Sequence, residues 1–202
     1  MAIVLSALVG IGLAAACGFR VFVPLLIACL ACRVGWLSVT PSFDWILSDE
    51  ALIAFAVASL LEIVAYWVPW LDHALDVVAT PAAVVAGTVL AASQFGFVNT
   101  NGGELLKWSL ALVAGGGAAA VVQGTTVMLR SASTALTGGI ANPLVSTVET
   151  AAAGAVTVMA ILTPVALWLA FCVVLVVAIR WWQRRSARSA LAAEAVMPQP
   201  AA

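Results

Sequence analysis

Ionisable side chains are concentrated in one stretch of this sequence, residues 60–81. It contains Glu62, Asp72 and Asp76 together with the only histidine of the chain, His73. Asp72 and Asp76 would share one face of a helix, and carboxylates and imidazole are ligands that divalent cations accept. The spacing is not diagnostic of a metal site, and a solvated interfacial helix, whose carboxylates face water, is the simpler explanation. We therefore expect neither a resident metal nor a cofactor.

Further polar residues stand out because apolar sequence surrounds them. Placing an ionisable side chain in hydrocarbon costs roughly 3 kcal/mol or more, so a sequence retains one where it has a partner or a task. Two interpretations stay open: the charges line a polar pathway for a small ion or solute, or they form buried ion pairs that only dock helices. The candidates for either role are Arg20, Glu62, Asp72, Asp76, Arg130, Asn142 and Glu149.

Signatures of catalysis do not occur in the sequence. There is no nucleophile elbow, no zinc-protease helix and no phosphate-binding loop, and a single histidine limits acid–base chemistry. Cys29 and Cys32 have a metal or redox spacing but lack the second pair that a structural zinc site needs. We expect no catalytic residues and no enzymatic activity.

Composition assigns the protein to a class. Hydrophobic residues make up 64% of the chain and charged residues 8%, and the mean hydropathy is +1.16, whereas soluble domains carry about 25% charged residues. The apolar runs are continuous rather than alternating, which favours helices over a barrel. Half of the eight cations lie in the C-terminal tail, a signal of orientation rather than of nucleic-acid binding. The sequence predicts an all-α, multi-pass transmembrane helical bundle.

The apolar runs define the number of spans, since each needs about 20 residues. The first run is interrupted at Gly18-Phe19-Arg20 and at Pro24, so we expect a broken first helix and about five spans, or six elements if that helix is two. Residues 1–180 form the transmembrane domain, and residues 181–202 form a cytoplasmic basic tail that is partly disordered. Five spans place the N-terminus outside. The predicted spans are 3–31, 51–68, 82–98, 105–129 and 150–179, with 69–81 as a surface helix or a segment that folds back.

An internal repeat is also visible. A stripe of small residues, then an arginine, a proline-containing break and a glutamate occur in that order twice. Three spans between the two starts would orient the copies oppositely, and inverted repeats with broken helices are typical of transporters. Small stripes also favour close helix contact in lipid, so we expect a homodimer. The stripes are Gly10, Ala14 and Gly18, and Gly116, Ala120 and Gly124.

Three separated motifs carry a resemblance to a known family. They are GFRVFVPLL, LLEIVAYWVPWLDHALDVVATPAAVVAGTV and MLRSASTALTGGIANPLVSTVE. The chain resembles, over about residues 5–175, a bacterial integral-membrane family catalogued as domain of unknown function 4126. The resemblance implies a small multi-pass inner-membrane protein and brings no established activity or ligand. Some relatives carry Asp-Lys where this chain has Tyr66-Trp67, so a role that depends on that pair would not transfer.

The leading hypothesis is a small transporter or channel-like protein of the bacterial inner membrane, multi-pass, with a cytoplasmic C-terminus. Its partners would be the lipid bilayer, a second copy of the chain and an unknown small ion or solute, with no nucleic acid. The alternative is a non-transporting membrane scaffold or assembly factor, in which the buried charges only dock helices.

Overall fold

The structure is a computed structural model that describes residues 2–66, 69–96 and 103–196, with side chains for most of 3–66, 77–96 and 103–166. All regular structure in these residues is helical, which confirms the all-α prediction. The chain divides into two compact units, Met1–Thr163 and Pro164–Ala202, and the description below concerns the first. The α-helices are α1 (Ala2–Cys17), α2 (Phe22–Arg33), α3 (Asp49–Ala65), α4 (Pro69–Gln94), α5 (Gly103–Leu110), α6 (Gly117–Thr137) and α7 (Asn142–Val196), with a 3₁₀ helix at Pro41–Leu47 and a π-helical segment at Ala111–Gly116.

Three of the described segments are long and apolar enough to cross a membrane: Val77–Gln94, Gly103–Thr137 and Asn142–Ala166. α1 and α2 are apolar but shorter. Together with the composition, these helices identify a membrane protein. The exposed surface agrees with this, because large apolar side chains cover it on most helices, and a bilayer rather than water is the solvent that such a surface suits.

The first helix is broken as predicted, and the break reverses the chain. At the start of α2, the backbone N–H of Val21 donates to Glu62 near the end of α3. At the end of α2, the Arg33 side chain bonds to the Leu47 carbonyl and to Asp49 at the start of α3. α2 and α3 are therefore antiparallel.

The end of α2 also returns to the end of the bundle where α1 begins. Ile3, Ser38 and Gln94 line one polar pocket there, and the backbone N–H of Thr40 donates to the Ser93 carbonyl at 2.9 Å. We call this the proximal end, and the end that contains the break after α1 the distal end. A helix of 16 residues is about 24 Å long, so α1 alone is too short to cross a hydrocarbon core about 30 Å thick.

The remaining helices alternate in direction between these ends. α1 is antiparallel to α4, because a Cβ at Gly10 would meet Gln94 whereas Gly87 lies against Ala14. It is antiparallel to α7 as well, because Gly12 faces Ala160 while Arg20 bonds to Ser146. In the described part of the chain, six segments therefore run between the two ends, with α5, the π-helical segment and α6 forming one. The arrangement matches the alternative given in the sequence analysis, in which the first helix is divided and the bundle has six elements.

The direction of α6 corrects the expected inverted repeat. Ala14 lies beside Gly115, and Gly18, one turn further along α1, lies beside Ala119 and Gln123. Positions increase together on both helices, so α1 and α6 are parallel. The reason is the reversal after α1, which makes α2 a separate segment. Four segments instead of three then lie between the start of the first stripe and the start of the second. The two small-residue stripes therefore run in the same direction, whereas α3 and α7, which carry Glu62 and Glu149, run in opposite directions.

Small residues bring α1, α4 and α6 into close contact. A Cβ at Gly18 would lie 2.5 Å from the carbonyl oxygen of Ala119, and one at Gly87 would lie 2.8 Å from the Cβ of Ala119. In contrast, a Cβ at Gly124 would meet nothing within 4 Å. The small stripe of α1 is therefore used for packing inside the protomer.

Two helix boundaries differ from the predicted spans. α4 begins at Pro69 and continues through Pro81, so residues 69–81 belong to the same helix as the predicted third span. Proline suits the first turn of a helix, where its missing N–H is not needed. α7 begins at Asn142 rather than near residue 150. α6 ends at Thr137, and the next residue, Gly138, caps it with a φ of +63°, a conformation that favours glycine.

Candidate functional site

Glu62 binds the N-terminus of α2. Its Oε1 accepts a hydrogen bond from the backbone N–H of Val21 at 2.8 Å, and its Oε2 accepts one from Phe22 at 3.0 Å. The first N–H groups of a helix have no partner within the helix, and the helix dipole favours a negative group there. The break therefore exposes donors at membrane depth, and a carboxylate from α3 satisfies them.

Arg20 lies in the break itself and binds α7. Its Nη2 donates to the Ser146 carbonyl oxygen at 2.9 Å and to the Ser146 Oγ at 2.5 Å, and its Nε donates to the Thr150 Oγ1 at 3.0 Å. Its Nη2 also lies 3.5 Å from the Oε2 of Glu149. The guanidinium is fully buried, so these contacts replace the water that it would otherwise bind.

Arg130 and Glu149 form the second half of the cluster. The Arg130 Nε lies 3.1 Å from each carboxylate oxygen of Glu149, and its Nη2 bonds to Oε2. Both side chains are buried. Glu149 is therefore shared by two arginines that are distant from each other in the sequence, and charge-assisted bonds of this kind are strong.

Tyr66 joins the two arginines. The Cζ atoms of Arg20 and Arg130 each lie 4.0 Å from the centroid of its ring. A cation over an aromatic ring is stabilised by about 2 kcal/mol or more when both groups are desolvated. Tyr66 was not among the predicted site residues, although it is the only tyrosine and follows Glu62 by one helical turn.

Two of the buried donors near the cluster have no hydrogen-bond partner among the described residues. They are the Nη1 of Arg20 and the side-chain nitrogen of Gln123, on the helix that Gly18 contacts. A buried donor without an acceptor costs about 1–3 kcal/mol, and more when it is charged. The cluster therefore has unused capacity to bind a group that carries hydrogen-bond acceptors.

The other candidates have different positions. Asn142 is buried at the start of α7, where its amide nitrogen donates to the Thr134 Oγ1 at 3.0 Å and supports the α6–α7 turn. Asp72 and Asp76 belong to the first turns of α4, but their side chains lie outside the described residues. The described structure thus brings together Arg20, Glu62, Arg130 and Glu149.

The described cluster offers a ligand hydrogen-bond donors rather than acceptors. Both oxygens of Glu62 accept backbone N–H groups, and both oxygens of Glu149 accept from Arg130. Among the described residues, no group of three or more His, Cys, Asp or Glu side chains is arranged to hold a metal ion. The guanidinium groups suit an anion or a carbonyl group better than a cation.

The proximal side of this site is closed by apolar packing. Leu13 and Leu90 are fully buried between the cluster and the proximal end, and the glycine contacts of α1, α4 and α6 leave no room between these helices. Apolar packing of α1, α4 and α6 thus lies between Arg20 and the proximal end.

Comparison with known proteins identifies the family. The family model DUF4126, described as a domain of unknown function, matches residues 7–184. The chain belongs to this family, as the three motifs predicted. No curated protein and no solved structure shows significant similarity to the chain.

Proposed function

We propose that this protein is a small transporter that moves a small ion or solute across the membrane. The observation that carries the proposal is the buried Arg20 at a helix break, whose Nη1 group has no acceptor among the described residues. Such a donor is expensive in hydrocarbon, and a solute that supplies an acceptor would offset that cost. Broken helices with charges at their ends are also the usual binding elements of secondary transporters.

The donor chemistry favours an anion or another acceptor-bearing solute. Glu62 and Glu149 use their oxygens within the protein, so the group available to a solute is the guanidinium of Arg20. The closed packing around Leu13 and Leu90 argues for alternating exposure of the site rather than for a permanently open channel.

Flux measurements in proteoliposomes test this proposal. We would compare chloride and proton flux for wild type, Arg20→Lys and Arg33→Lys. Lysine keeps the charge at position 20 but removes the planar fork of donors. Arg33 is a partly exposed arginine at the proximal end and serves as the matched control.

We expect flux in wild type and in Arg33→Lys, and a loss of at least tenfold in Arg20→Lys. Equal flux in all three proteins would contradict a role for Arg20. A full panel of inorganic anions, protons and divalent cations without any flux in wild type would contradict transport.

A scaffold or assembly factor is the second candidate, and Glu62 favours it. A carboxylate with both oxygens on backbone N–H groups is fully explained by docking α3 onto α2. This function predicts that Glu149→Gln lowers stability while every permeability of the liposomes stays at the protein-free level. Neither candidate involves catalysis, and we propose that the protein is not an enzyme.

The orientation that we propose follows from the positive-inside rule. Arg33 lies at the proximal end, and so does Lys107, whose Nζ is 5.7 Å from the ring centroid of Phe43 in the 3₁₀ helix. With the proximal end in the cytoplasm, the N-terminus is cytoplasmic, unlike the orientation expected for five spans. The bacterial inner membrane and a cytoplasmic C-terminal tail complete this proposal.

A homodimer is a further proposal, and packing restricts where it would form. The Gly10–Gly18 stripe already contacts α4 and α6, whereas Gly117 and Gly124 of α6 have open space on their outer side. A photo-cross-linker at Val121, which is 72% exposed between them, would join two copies in lipid. A monomer after cross-linking at this position would contradict dimerisation through α6.

A further inference from the structure

Two neighbouring cavities form one apolar groove between the α2–α3 pair and α4. The first, of about 310 Å³, adjoins Glu62 and Tyr66, and the second, of about 440 Å³, adjoins Trp45 and Phe55. The residues common to both walls are Val21, Phe22, Val78 and Ala82. We call this feature the α2–α4 groove.

The groove exists because α3 packs mainly against α2. The Glu62 and Arg33 contacts join α2 and α3 at both ends, while α4 packs mainly against α1 and the π-helical segment. The space between the two sets of helices is open on one side, where Leu61, Val78 and Val85 are each more than 60% exposed.

The position of the groove determines what surrounds it. Its wall on α4 extends from Val78 to Val89, inside the apolar segment Val77–Gln94 that is long enough to cross a membrane. At this depth the solvent is hydrocarbon, not water. The eleven steps along the helix from Val78 to Val89 correspond to a groove about 16 Å long, close to the roughly 15 Å depth of one leaflet of the core.

The size and the chemistry of the α2–α4 groove indicate which kind of molecule binds there. The groove consists of two cavities of about 310 and 440 Å³ that share part of their walls, and a flexible acyl chain can follow this shape more closely than a rigid helix about 10 Å wide. Trp45 lies at the proximal mouth and is 50% exposed, and tryptophan prefers the level of the lipid headgroups.

From these observations we propose that the α2–α4 groove binds one acyl chain of a phospholipid from the proximal leaflet. The headgroup lies near Trp45, and the end of the chain reaches the wall formed by Glu62 and Tyr66. The bound chain fills the space between α3 and α4 and so supports the helices that hold the charge cluster. The inference does not depend on transport.

The test uses full-length protein reconstituted in phosphatidylglycerol vesicles that contain a small fraction of phospholipid with a photoactivatable diazirine near the end of one acyl chain. Labelled residues are mapped by mass spectrometry. We expect labelling at Val78 and Ala82 several-fold above that at Val113, which is 76% exposed to lipid but lies outside the groove.

Ala82→Phe fills both cavities and should reduce labelling of Val78 at least threefold while Val113 is unchanged. Ala155→Phe, which adds the same side chain on an exposed position of α7, should change neither. If Ala82→Phe does not fold, Ala82→Leu replaces it. Uniform labelling of all exposed residues, or undiminished labelling of Val78 in a folded variant, would overturn the proposal.

A photo-cross-linking amino acid at Val78 separates the two occupants directly. A lipid adduct on the monomer supports the proposal, and a cross-linked protein dimer overturns it.

Discussion

Removing the carboxylate of Glu62 should destabilise the protein far more than an ordinary interhelical bond would predict. Interhelical hydrogen bonds in membranes contribute about 0.6 kcal/mol on average, because the groups find other partners when the bond is lost. Glu62 differs because its partners are the N–H groups of Val21 and Phe22, which begin a helix after a break. In hydrocarbon these donors have no alternative acceptor.

The expected loss of unfolding free energy follows from the two charge-assisted hydrogen bonds that Glu62 accepts. Each is worth about 1.5–3 kcal/mol, and the helix dipole adds about 0.3–1 kcal/mol. Glu62→Ala should therefore lower the free energy of unfolding by about 4 kcal/mol. Glu62→Gln keeps one acceptor but turns an amide N–H toward the second donor, so we expect about half of that loss.

Equilibrium unfolding in mixed micelles measures these differences. Hydrogen exchange at Val21 and Phe22 provides a local readout, since both amides should exchange faster in Glu62→Ala. Glu50→Ala is the control because Glu50 is an exposed acid in the first turn of α3, and it should change the free energy of unfolding by less than 1 kcal/mol. A loss of 1 kcal/mol or less in Glu62→Ala, with unchanged exchange, would refute the reasoning.

Three further predictions concern packing, charge and topology. Glu149→Gln should lower the free energy of unfolding by about 3–5 kcal/mol, because it removes the carboxylate that two buried guanidinium groups share; a loss below 1 kcal/mol would contradict this. Gly18→Ala should lower the free energy of unfolding by about 1–3 kcal/mol, since its Cβ would lie 2.5 Å from a carbonyl oxygen of α6. Gly124→Ala should be neutral or raise it by up to about 1 kcal/mol. Equal effects of the two substitutions in thermal unfolding would argue against the close contact at Gly18. Cysteine-accessibility labelling should find the start of α1 and the 3₁₀ helix on the same side of the membrane, and opposite sides would contradict the reversal after α1.

Much of the charge cluster was predictable because burial of charge is costly. Arg20, Arg130 and Glu149 stand in apolar sequence, and hydrocarbon leaves such residues few alternatives to pairing. The role of Glu62 was harder to predict, since its partners are backbone groups that become available only where the helix breaks. From charge alone, the expected partner of Glu62 was an arginine side chain.

The reversal after α1 was not predictable from Gly18 and Pro24. Such residues indicate that a helix is interrupted, but a kink and a reversal have the same local signals. The direction depends on contacts distant in sequence, including Arg20 with Ser146. From this one choice follow the number of segments, the side that we propose for the N-terminus and the parallel orientation of α1 and α6.

The contacts of Arg20 have a consequence for biosynthesis. Val21 and Phe22 can be capped once Glu62 has been made, about 40 residues later, but the partners of Arg20 in α7 follow by 126 and 130 residues. At about 5–20 residues per second, the ribosome needs roughly 6–25 s to supply them. During that interval Arg20, which lies between α1 and α2, must stay near lipid headgroups or be bound by a chaperone. Chains that terminate before α7 should therefore be recognised as unassembled and degraded, which makes the last span the step that completes the membrane-inserted fold.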